Sequence, residues 1–93
     1  MTIFDKMSLR IIKEQALIIG SLAWDEAKKV PGLSIVNQEP GEIASAGDAS
    51  QVLNKLVEQY TKLFGQASRE ACKDAVLDLL AELPQEQIPL NLR

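Results

Sequence analysis

At 93 residues the chain has the length of one domain, 1–93. Its 46% hydrophobic and 25% charged residues exclude wholesale disorder, and five Gly with four Pro exclude collagen-like and low-complexity chains. One Cys and no His exclude a disulfide framework, a zinc finger and any histidine-based triad, while a net charge of −3 argues against a dedicated nucleic-acid binder.

The longest uncharged run of the N-terminal segment, Gln15 to Trp24, is far too short to span a bilayer. Asp5 and Glu14 interrupt any candidate secretory leader. The expectation is a cytoplasmic, bacterial-like protein without a membrane segment and without a cofactor. A chain of this size buries only about 60–68% of its unfolded surface. With neither a disulfide nor a metal to help, a second copy of the chain is the readiest source of further buried area.

Along the chain, the first helical block starts near Thr2 or Ser8. Thr2 with Asp5 forms a capping-box variant, and Ser8 offers a separate cap. The main helix is placed over about 8–30. Ile12, Ala16, Ile19, Ala23, Ala27 and Val30 share one face, and Ile11, Ile18 and Leu22 form a second stripe beside it. Two apolar stripes on one helix are more than one neighbour covers. Pro31-Gly32 stops the block.

Residues 31–48 form the connection. Pro40-Gly41 suits the centre of a type II turn, and Ile35, Val36 and Ile43 flank it, so the segment is a loop or a small hairpin. The second helix, about 49–64, opens with Asp48 as N-cap and Gln51 as its capping-box partner. Val52, Leu53, Leu56, Val57, Tyr60, Leu63 and Phe64 make its apolar stripe, and Gly65 breaks it. A third helix is placed over about 68–83, with Ala71, Cys72, Ala75, Val76, Leu79, Leu80 and Leu83 inward. Pro84 closes it. The apolar tail 84–93 then lies back across the bundle.

The sequence contains an internal echo. Ile19-Gly20-Ser21-Leu22-Ala23-Trp24-Asp25 aligns with Phe64-Gly65-Gln66-Ala67-Ser68-Arg69-Glu70, and Lys28 with Lys73, at a constant offset of 45 residues. Either the match is chance, or two related helical halves pack pseudo-symmetrically. The pattern, over Leu17–Ala27 and Leu63–Cys72, is similar to small helical segments attached to bacterial response regulators and signalling kinases. Those segments often carry Pro after the Gly, where this chain has Ser21 and Gln66. The resemblance carries over no functional residue.

Candidate chemistry is sparse. Glu70, Asp74, Asp78 and Glu82 recur every four residues, which suits a solvated face, or an acidic stripe for a basic partner or a divalent cation. Leu63 to Cys72 resembles a helix-turn-helix, with Ser68-Arg69-Glu70 opening the second helix, but Glu70, Asp74 and Asp78 oppose entry into a DNA groove. Lys6, Arg10 and Lys13 share one side of the first helix. Cys72 lies on an apolar stripe and lacks a His base, which points to a structural role. Trp24 is either core edge or interface anchor.

The sequence therefore predicts an all-α protein: a small bundle of three main helices with a loop or minor hairpin between the first and second. It names no activity. The first expectation is a non-enzymatic interaction or regulatory protein, acting as a homodimer or on another protein through Ile11, Ile18, Leu22 and Trp24. The alternative is a helix-turn-helix-like nucleic-acid-binding regulator. No catalytic, cofactor or metal residue is assigned.

Overall fold

Helix α1 runs over Ile3–Ile19 in the computed structural model, which describes residues 2–93. Thr2 caps it. The Asp5 N–H donates to Thr2 Oγ1 at 3.1 Å, and the Asp5 carboxylate accepts from the Thr2 N–H at 3.4 Å. Ser8 is not a cap. It lies one turn inside the helix on its buried face.

The continuous helix over 8–30 is corrected to two. Gly20 ends α1 at φ 69°, ψ −150°, a conformation reserved almost entirely for glycine. A short helix α2, Leu22–Ala27, restarts beyond it. The apolar spacing survives the break because α2 buries Ala23, Trp24 and Ala27 in a new direction.

Residues 33–45 form a hairpin, so the fold is mainly helical and not strictly all-α. Strand β1, Leu33–Asn37, pairs antiparallel with β2, Glu42–Ser45. Ile35 faces Ile43, and the register shifts between Ile35 and Asn37, where Val36 bulges toward solvent. Two strands alone are marginal. This pair rests on the helices instead, with Leu33 and Ile43 in the core and the Ser45 hydroxyl bonded to the Asp5 carboxylate. The Glu39–Pro40 peptide is cis, and the Gly41 N–H donates to Asn37 Oδ1 at 3.1 Å.

Helix α3, Ala49–Phe64, begins at Asp48, whose carboxylate accepts from the Ser50 and Gln51 N–H groups. The reciprocal bond from the Gln51 side chain is not formed among the described residues. Gly65 then turns the chain at φ 84°, ψ −171° into α4, Gln66–Ala75. The single third helix over 68–83 is also corrected. The β-branched Val76 leaves the helical region at φ −123°, ψ 14°, with its side chain fully buried. A single turn, α5, Leu77–Leu80, follows. The tail makes two 3-10 turns, Gln85–Gln87 and Leu90–Leu92. Asn91 donates two hydrogen bonds to Asn54 of α3, from its N–H to Oδ1 at 2.8 Å and from its side-chain amide to the carbonyl at 3.0 Å, and Leu92 enters the core.

The echo extends well beyond the matched letters. The buried positions of α1 are Met7, Ser8, Ile11, Ile12 and Gln15; those of α3 are Val52, Leu53, Leu56, Val57 and Tyr60. Each lies 45 residues after its counterpart. At the two corners the Gly20 N–H donates to Ala16 O and the Gly65 N–H to Thr61 O. Ala23 N then bonds Gly20 O, and Ser68 N bonds Gly65 O. Even the cross-contacts correspond: Gln15 Nε2 reaches Ser68 O at 3.3 Å, and the Tyr60 hydroxyl reaches Ala23 O at 2.7 Å. The helical part is therefore two helix–Gly–helix corners packed against each other by exchange.

Candidate functional site

The structure separates the four residues singled out for an interface. Ile11 is 0% exposed and Trp24 is 7% exposed, and both belong to the core of the single chain. Ile18 and Leu22 stay at the surface, 63% and 42% exposed. They flank the Gly20 corner. Leu17, 82% exposed, extends this surface, as do Leu63 and Phe64 at the Gly65 corner. The α1 and α3 helices thus end in apolar residues at corresponding positions, Ile18 with Leu63, both exposed, and half-buried Ile19 with exposed Phe64.

A cleft of about 170 Å³ joins the two corners. Ile18 and Ile19 form one wall; Phe64, Ala67 and Ala71 form the other. Gln15 and Ser68 line it as well, and both are buried. The Gln15 amide is held by its donation to Ser68 O and by a 3.4 Å contact to Cys72 Sγ. Ser68 Oγ is buried and meets no partner among the described residues. A buried hydroxyl without a partner costs free energy, about 1–3 kcal/mol, so its position calls for an account.

Sequence reasoning missed this cleft. Its two polar residues lie on faces that read as apolar stripes or as helix openings. The only signal is the pair of small residues Ala67 and Ala71 opposite Ile18 and Ile19, and small residues do not announce what faces them.

The other candidates are engaged elsewhere. Asp78 pairs with Arg10 across the α1–α5 contact at 2.5 Å, and the guanidinium holds its carboxyl below the usual carboxylate range. The four-residue acidic repeat is therefore split at Val76, and among the described residues no group of three or more Cys, Asp or Glu side chains is placed to hold a metal ion. Lys13 lies over Gly41, where an added Cβ would come within 2.7 Å of its Cε. Arg69 Nε donates to Asn91 O at 3.0 Å, so one of the two cations of the supposed recognition helix, Arg69 of the pair with Lys73, is tied to the tail. Ser68, the residue before it, faces inward.

Burial pushes the Cys72 thiol up to about 11, so at neutral pH it stays protonated and a poor nucleophile. Burial likewise raises the Tyr60 phenol. Glu26 is held below its ordinary value by hydrogen bonds, first from Lys29 and then from Gln59 at 2.8 Å. It is a satisfied structural carboxylate, not a free base. Among the described residues no helix is long and apolar enough to cross a membrane. No family model matches the chain, and no curated protein or solved structure matches it.

Proposed function

We propose that this protein is a non-enzymatic interaction module that associates with a second copy of itself through the face between the Gly20 and Gly65 corners. The observation that carries the reading is that exposed Ile18 and Phe64 meet across the cleft, with exposed Leu17, Leu22 and Leu63 beside them in the chain at the two corners. Isolated surface apolar residues need no explanation, whereas a group of them marks a contact. The face is built from two corresponding halves, a form suited to an isologous contact, in which each subunit presents the same patch to the other.

Association is not required to complete the core. The chain exposes 5121 Å² of surface, against about 5,300 Å² expected for a folded monomer of this mass. The contact is accordingly an interaction between folded subunits. Neither the tied Arg69 nor α4, where Glu70 and Asp74 offset Arg69 and Lys73, favours nucleic acid as the partner.

Light scattering on a sizing column, across a range of protein concentrations, tests the reading. The expected mass rises toward twice 10.2 kDa with concentration. Ile18→Glu and Leu22→Glu are expected to return it to the monomer value without unfolding the chain. A mass of 10.2 kDa throughout, or a dimer that both variants retain, would overturn it.

A further inference from the structure

The 45-residue correspondence divides the chain into two units, 2–46 and 48–93. In the first, strand β2 lies against α1 and β1 against α2; in the second, the last 3-10 turn lies against α3 and α4. The units meet through α1 with α3, α1 with α4 and α2 with α3. That is the pattern of an isologous contact: a first helix meets its counterpart, and each first helix meets the other unit's second. Gln15 with Ser68 O and Tyr60 with Ala23 O are its two corresponding bonds. Among the described residues no backbone–backbone hydrogen bond joins the units. At the junction the Ala46 N–H donates to Gly32 O in the first unit, and Asp48 caps α3 in the second. Gly47 lies between them, exposed, and an added Cβ there meets nothing within 4 Å. One uncovered residue is thus the covalent tie between two units that otherwise meet as subunits do.

We infer that the seam between the units is an interaction surface for the matching unit of a second copy, so that two chains exchange units into a dimer by opening at Gly47. Exchange of an identical element between copies is a low-cost route to a dimer, because the seam of the closed chain is remade between the two. Ile11 in the first unit and Leu56, its counterpart in the second, are both fully buried. An opened chain therefore exposes apolar surface, and the face of another sound unit covers it again. A short tether holds the two units at an effective concentration of about a millimolar, so the closed chain prevails in dilute solution and exchange needs opening at high concentration.

The inference does not rest on the corner face. The test uses two full-length variants, Ile11→Asp and Leu56→Asp, each with one unit spoiled and the other sound. Either alone is expected to lose the cooperative urea transition of the wild type, since a carboxylate is forced into the core. Mixed in equal amounts in urea and refolded together, the sound units are expected to pair across chains. The transition then returns with about half the wild-type amplitude, one seam being made from two chains. The complex is expected at twice 10.2 kDa by light scattering. Recovery is expected to persist when both chains also carry Ile18→Glu, which disrupts the corner face. Cooperative folding of either variant alone would show a unit that does not need the other's face. A mixture that stays unfolded would show that the seam forms only within a chain, and recovery lost on adding Ile18→Glu would belong to the corner face. Each of these results would overturn the inference. The mass of the wild type in solution decides the corner-face reading separately, so either can fail while the other stands.

Discussion

Gln15 donates to the Ser68 carbonyl across the α1–α4 contact, and the chain makes the corresponding bond once more, from Tyr60 to the Ala23 carbonyl. The two bonds fasten each first helix to the opening turn of the other corner's second helix. The tyrosine version is shorter, at 2.7 Å against 3.3 Å, and its donor is fully buried. Tyr60→Phe keeps the ring and removes only the hydroxyl. The expected loss is about 1 kcal/mol, the ordinary net worth of a neutral hydrogen bond, read as a lower urea midpoint at unchanged slope. An unchanged midpoint would mean that the bond holds nothing together.

The two corner glycines make a matched pair of predictions. Gly20 and Gly65 have φ of 69° and 84° with near-extended ψ, and a Cβ added at either meets nothing within 4 Å. Crowding is thus absent, and an alanine there suffers backbone strain alone. Gly20→Ala and Gly65→Ala are each expected to lose about 1–3 kcal/mol, by similar amounts. Thermal or urea unfolding of both variants checks this. A cost at one corner and none at the other would show that the correspondence is superficial.

These pairs also explain what was legible in the sequence. Asp48 and Gly65 bound α3 as their chemistry requires, because a carboxylate cap and a positive-φ glycine act locally. Gly20, whose place in the echo suggests a close approach or a bend, still falls inside one helix over 8–30 on the sequence, since α2 resumes the apolar spacing after the break and a period of 3.6 does not report a change of direction. The hairpin stayed open between loop and strand because its stability comes from Leu33 and Ile43 resting on distant helices. The 45-residue correspondence showed only where residue types agree. Over α1 and α3 the positions agree while the types do not, as with Ser8 against Leu53 or Gln15 against Tyr60. The cleft is legible least of all, being set by which atoms are missing beside Ala67 and Ala71.

Glu26 sets a pH dependence. Its side chain is nearly enclosed and accepts from Lys29 at 2.9 Å and from Gln59, so its folded pKa lies below the ordinary 4.5. A depressed carboxylate contributes stability that is present above its unfolded value and is lost as pH falls through its folded one. Stability is therefore expected to drop as pH falls below about 4.5, and Glu26→Gln to show a shallower drop over the same interval. Urea midpoints for both proteins from neutral to acid pH measure it. Parallel curves would remove Glu26 from the account and leave the acid response to other carboxylates, Asp78 among them.

Ile11 and Ile18 are seven residues apart, two turns of one helix, and a stripe drawn on the sequence gives them the same role. The fold does not. Ile11 is enclosed on every side, whereas Ile18 lies on the rim of the cleft. Truncating a buried isoleucine loses its transfer free energy and leaves a cavity, so Ile11→Ala is expected to cost about 2–5 kcal/mol. Ile18→Ala has little burial to lose and is expected to stay within about 0.5 kcal/mol of the parent, while weakening association. Denaturation at low protein concentration measures the first effect, and light scattering at high concentration the second. Because the two readouts are separate, a chain in which Ile18→Ala costs as much stability as Ile11→Ala would place Ile18 in the core and remove the uncovered face on which self-association rests.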